Sequence, residues 1–135
     1  MSYAASAALQ QAVYSRLNGD AALNALGATV YDALPGGDLP DLAVVLGAEQ
    51  ALDGSDKTQQ GLRVDFRLEV VSAASGFLQA KQAAGAISDA LVAAPLILSR
   101  GLLIGIWFLQ AKATRDNSSD RRRIEMRFRA RIDEI

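Results

Sequence analysis

Between residues 62 and 73, LRVDFRLEVVSA, apolar and charged residues alternate. Val64, Phe66, Leu68 and Val70 fall on one side, and Arg63, Asp65, Arg67 and Glu69 on the other. This is the period of a strand with one face in a core and the other in water. The stretch RRRIEMRFRARIDEI, residues 121–135, repeats the pattern. Ile124, Met126, Phe128, Ala130 and Ile132 share one side; Arg121, Arg123, Glu125, Arg127, Arg129, Arg131 and Asp133 share the other. A second half-buried strand is therefore predicted over residues 121–133. ATVYDALPGGDLPD (28–41) reads as a brief strand followed by a loop, Leu42 to Gln50 as a longer strand, and Leu102 to Thr114 as another. This last strand is predicted to place Ile104, Ile106 and Phe108 on one face and Leu103, Trp107 and Leu109 on the other. A strand apolar on both faces is either a central strand beneath a loop or one whose second face meets another subunit.

Two longer stretches carry a helical period instead. Leu9, Val13 and Leu17 recur at four-residue spacing in an alanine-rich segment, predicting a helix over 3–18 that stops at Asn18-Gly19. Asp20 is placed to cap a short helical turn through Leu26, ended by Gly27. Phe77, Ala80, Ala84, Ile87 and Leu91 follow 3-4-3-4 spacing, with Ser75 as the expected cap and Pro95 as the stop. Pro35, Gly36, Gly37 and Pro40 mark a loop, ALDGSDKTQQGL (51–62) a polar loop or hairpin tip, and DNSSD (116–120) a turn. The expected fold class is α+β, a mostly antiparallel sheet with helices packed on one face, in the order ααβββαββ. With no repeat or linker, residues 1–135 read as a single domain, within the common range of about 100–150 residues.

Composition narrows the chemistry. The chain has no cysteine and no histidine, so disulfides, thiolates, the commonest metal ligand and the usual neutral-pH general base are all missing. There is no GxSxG turn and no GxxxxGK or GxGxxG phosphate loop. Asp41, Asp56 and Lys57 could in principle build a carboxylate–lysine metal site, but their spacing carries no signature, and solvated loop charge is the better reading. No catalytic, cofactor-binding or metal-ligating residue is expected. The start MSYAASAALQQ lacks the basic and apolar regions of a signal peptide. The apolar segment 90–111 is broken by Pro95 and Ser99-Arg100-Gly101 into pieces shorter than the ~20 residues a membrane span needs. A soluble protein made in the cytoplasm, with no membrane partner, is expected.

Charge is distributed unevenly. The net formal charge is −1, yet residues 1–60 hold two bases and seven acids while residues 61–135 hold twelve bases and eight acids. Six arginines in the last fifteen residues invite a nucleic-acid reading, in which the terminal strand would grip phosphates. Against it, the alternation spreads the arginines along a strand, and Phe128, the one aromatic of the run, points into the core rather than offering a base a platform. Cross-strand pairing with Asp65 and Glu69, or contact with another protein, accounts for the same face.

Several strings, in their order and spacing, carry a resemblance. AVYSRLNGDAAL (12–23), VYDALP (30–35), LPDLAVVLG (39–47) and RDNSSDRRRIEMRFRARI (115–132) together resemble the tail completion, or tail terminator, family of long-tailed bacteriophages and phage-derived gene transfer agents. Asp41 after Pro40 departs from the family's apolar or aromatic preference there. The resemblance implies a subunit of a homo-hexameric ring that caps the tail tube, ends its polymerisation and meets the neck or head-completion protein. It also implies DNA passing through the lumen without sequence recognition, no enzymatic activity and no cofactor. The protein would assemble in the bacterial cytoplasm and reside in the phage or gene-transfer-agent particle, at the tail end near the neck. Ring closure joins unlike patches, for which an acidic N-terminal half and a basic C-terminal half are suited. Candidate subunit or tube contacts are Arg123, Arg127, Arg129, Arg131 and Trp107, together with Asp53, Asp56 and Lys57 on a tip that either orders on contact or is a plain hairpin end. Candidate lumen residues are acidic, such as Asp32, Asp38 or Asp53, since like charge lets DNA slide.

Overall fold

The two alternating segments become neighbours. In the computed structural model, which describes residues 2–134, β3 (Gly61–Ser72) and β5 (Arg122–Asp133) pair antiparallel over twelve residues without a register shift. Phe66 faces Phe128 across this ladder, their rings stacked 5.7 Å apart. β2 (Leu42–Asp53) flanks β3 on one side, β1 (Thr29–Tyr31) adds parallel to β2, and β4 (Leu102–Arg115) closes the other end against β5. The sheet order is β1-β2-β3-β5-β4.

Helices α1 (Ala4–Asn18) and α3 (Leu78–Val92) cover one face, with the short α2 (Ala21–Ala25) beside them. Leu9, Val13 and Leu17 of α1 and Ala80, Ala84, Ile87 and Leu91 of α3 meet Val64, Leu68, Met126, Phe128 and Ile132 in one core. The alanines of α3 let its backbone lie close to the sheet, so packing rather than propensity fixes this helix. Asp20 caps α2 as expected, accepting from the Leu23 N–H at 3.1 Å. The α+β class, the element order and the placement of helices on one face match the sequence reading.

Three details differ. β4 is an edge strand, so its apolar second face is not that of a central strand beneath a loop. Two register shifts, at Leu103/Gly105 and Phe108/Gln110, also break its alternation. Leu103, Ile106 and Phe108 lie on the helix-facing side, Trp107 on the outer side, and Ile104 and Leu109 are the extra residues at the shifts. Ser75 is not the cap of α3: the N-cap is Phe77, without a side-chain cap, and the Ser75 carbonyl accepts from Arg122 instead. Finally, β2 runs on to Asp53 because Ala51, Leu52 and Asp53 keep pairing with Val64, Arg63 and Leu62.

Candidate functional site

The face opposite the helices is built by the odd-numbered side of β3 and β5. Arg123, Glu125, Arg127, Arg129 and Arg131 stand in line, opposite Val71, Glu69, Arg67, Asp65 and Arg63. Placing two guanidinium groups directly opposite each other would be repulsive, and the acids resolve this by pairing both across and diagonally. Arg129 donates twice to Asp65, from Nε at 2.8 Å and Nη2 at 3.1 Å. This fork holds the Asp65 carboxyl below its ordinary pKa and raises that of Arg129. Arg123 pairs with Glu69 and, at 3.2 Å, with Asp116, and its pKa is raised chiefly by Glu69. Arg67 pairs with Glu125 at 3.2 Å. Arg127 alone on this strand has no ion pair among the described residues.

The triple arginine at 121–123 disperses into three tasks. Arg121 donates to the carbonyls of Pro40 and Leu39, at 3.0 and 3.3 Å, and pins the 32–41 loop onto the outer face. There Ala43, Val45 and Val71, with Tyr31 and Leu39, form a small second core. Arg122 lies over the Phe77 ring, 5.6 Å from its centroid, and donates to the Ser75 carbonyl. Only Arg123 belongs to the charged face. Sequence reasoning missed the first two because their acceptors are backbone carbonyls and an aromatic face, which have no signature at a distance in the chain.

Arg131 has a similar hidden role. It donates to Asp133 at 2.7 Å and to the Gly54 carbonyl, so its guanidinium lies across the β2–β3 tip. A side chain at Gly61 would have to displace that guanidinium. The tip is closed by its own bonds as well. Asp53 accepts from Ser55 N–H and Oγ, at 3.0 and 2.6 Å. Asp56 accepts from the N–H groups of Thr58 and Gln59, at 2.9 and 2.8 Å. These bonds lower the pKa of both carboxyls, with Ser55 the leading cause for Asp53 and Thr58 for Asp56. Gln59 reaches the Glu134 carbonyl at 2.8 Å. The tip is thus already ordered within one chain, and it presents Asp53, Asp56 and Lys57 exposed beside the Arg131 end of the charged face.

Trp107 stands opposite Arg129 on the outer side and remains 48 % exposed. The structure therefore brings Trp107, Arg123, Arg127, Arg129, Arg131 and the tip onto one side. Asp32 and Asp38 lie elsewhere, in the loop between β1 and β2: the pairing of Tyr31 with Val45 sets Asp32 level with the middle of β2, and Asp38 lies just ahead of that strand's start. Asp32 accepts from Gln10 Nε2 at 2.6 Å, and Asp38 is exposed.

On the charged face itself lies a recess of about 270 Å³, walled by Glu49, Gln50, Asp65, Arg67 and Arg127. A larger one, about 450 Å³, lies open between α1 and residues 96–99. Its one cation, Arg16, is committed to the carbonyls of Ala90, Ala94 and Pro95 at 2.9–3.2 Å. Among the described residues no group of three His, Cys, Asp or Glu converges as a metal site, and no helix is long and apolar enough to cross a membrane.

Residues 11–133 match the family model described as tail completion protein gp17. The chain belongs to the tail completion protein family. It is a structural component of a phage-type tail. Among solved structures the chain is similar to one in the virion of a native gene transfer agent (GTA) particle, at 54% sequence identity and a TM-score of 0.88. That similarity covers 98% of this chain and 99% of the other. No curated protein matches the sequence.

Proposed function

We propose that this tail completion protein forms a homo-hexameric ring on the finished tail tube, ends tube growth, and joins the tail to the neck or head-completion protein. The observation that carries this reading is the end-to-end similarity, at 54% identity, to a chain of a gene transfer agent particle. The protein acts without catalysis and without a cofactor. DNA transits the lumen and is not bound by sequence, which agrees with a basic face whose arginines are largely neutralised by neighbouring acids. The outer face, with Arg127 and Trp107 at its centre, and the tip carrying Asp53, Asp56 and Lys57 supply contacts to the tube or to neighbouring subunits. Asp32 and Asp38, in the loop between β1 and β2 and away from the tip, are the candidates for the lumen.

The test is removal of the protein from an assembling particle, followed by imaging. Tubes of irregular length without attached heads are expected, with six-fold rings at the tube end restored by the wild-type chain. Tubes of normal length, joined to heads in its absence, would overturn the reading.

A further inference from the structure

The β2–β3 tip is held from outside as well as from within, and the outside holder is the end of β5. Gln59 Nε2 donates to the Glu134 carbonyl at 2.8 Å, and the Glu134 N–H donates to the Gln60 carbonyl at 3.0 Å. Arg131 supplies a third tie. Its Nε donates to Asp133 at 2.7 Å, which turns the guanidinium so that Nη1 reaches the Gly54 carbonyl. The Arg131 side chain is 25 % exposed, against 49 % for Arg67 on the same face. Arg131 is therefore spent inward, on its own chain.

Two glycines border its seat. A Cβ at Gly54 would stand 2.8 Å from Nη1, and one at Gly61 would overlap the guanidinium. Neither glycine has a positive φ, so the backbone at both positions is open to alanine and an added methyl would displace the guanidinium instead. Ser55 couples this seat to the acids of the tip. Its Oγ accepts from the Gly61 N–H at 3.1 Å and donates to Asp53 at 2.6 Å.

We infer that Arg131 is a positioning residue of the docking tip: it touches neither the tube nor a neighbouring subunit, and it locks the tip so that Asp53, Asp56 and Lys57 are presented in one arrangement. A tip already held in place loses less freedom on contact, so more of the contact energy remains for binding. The planar guanidinium suits the task, because it reaches Asp133 and the Gly54 carbonyl with two donors fixed relative to each other. This inference rests on the docking reading of the tip and adds the residue that sets its position.

Hydrogen exchange of the full chain reads the lock, and particle assembly reads its role. Arg131→Gln removes the tie, whereas Gly61→Ala displaces the guanidinium and keeps its charge. Both should speed exchange at the amides of residues 54–60 about tenfold, as expected for one lost charge-assisted hydrogen bond, and leave those of residues 64–70 unchanged. Unchanged tip exchange in Gly61→Ala would overturn the lock. Both variants should also lower particle yield, and full yield despite a loosened tip would overturn the positioning role. The deciding comparison is made with residues 55–60 replaced by a two-residue turn. In that background Arg131→Gln should cause no further loss of yield. A further loss would mean that Arg131 itself touches the partner, and would overturn the inference. Full yield from the shortened tip alone would instead sink the docking reading of the tip, and the positioning role with it.

Discussion

At the scale of single residues, Phe128 ties the sheet to the core. It is fully buried, stacked on Phe66 and met edge-on by Phe108 at 5.8 Å. Phe128→Ala should cost about 3–5 kcal/mol, read as a lower urea midpoint with little change in slope. Asp65 contributes through its charge. Its folded pKa lies below the ordinary value of an aspartate, about 3.9, chiefly through Arg129, so the contribution is present above about pH 4 and is lost as the pH falls through the depressed value. Asp65→Asn should destabilise the protein at pH 7 and flatten its loss of stability in that acid window. An unchanged acid profile would refute the assignment. The identity of Phe128 as core was legible from period two alone. The tasks of Arg121, Arg122 and Arg131 were not, because each ends on a backbone carbonyl or ring that only the fold brings near.

At the scale of elements, β3 and β5 were readable because one face of each is polar along most of its length, Val71 excepted, which fixes both side and register. β4 was ambiguous for the opposite reason. Two apolar faces say that a strand is covered but not by what, and a bulge leaves no mark in the hydrophobic pattern. The charged face of β5 also divides in a way the sequence did not reveal. Arg127 has no ion pair among the described residues, whereas Arg129 holds Asp65. Arg127→Glu should leave the melting temperature nearly unchanged while impairing assembly on the tube; Arg129→Glu should lower both. Normal assembly by both variants would exclude the face from docking. For the β2–β3 tip, replacing residues 55–60 by a two-residue turn should preserve folding, since the ladder closes at Asp53 and Leu62, and should reduce particle yield. Full yield would make the tip a plain hairpin end.

At the scale of the whole molecule, the strand order has a consequence for how the chain is made. The final strand, β5, is not added at a rim; it is inserted between β3 and β4, pairing with both along its length. Until β5 emerges, β3 and β4 each carry an unsatisfied edge, and α3 has packed over a gap in the layer beneath it. Closing that gap requires contacts between residues far apart in sequence, such as Leu62 with Ile132, a topology that slows folding. A chain stopped at the 116–120 turn should therefore fail to give a cooperative unfolding transition and should aggregate, while a synthetic β5 peptide supplied in trans should recover some soluble material. The arginines of β5 then have a role in time as well as in space. On a strand that must stay soluble until its slot is ready, alternate positive charges act as gatekeepers against pairing with another copy of itself. Arg123 and Arg129 meet Glu69 and Asp65 only once the strand has reached its place.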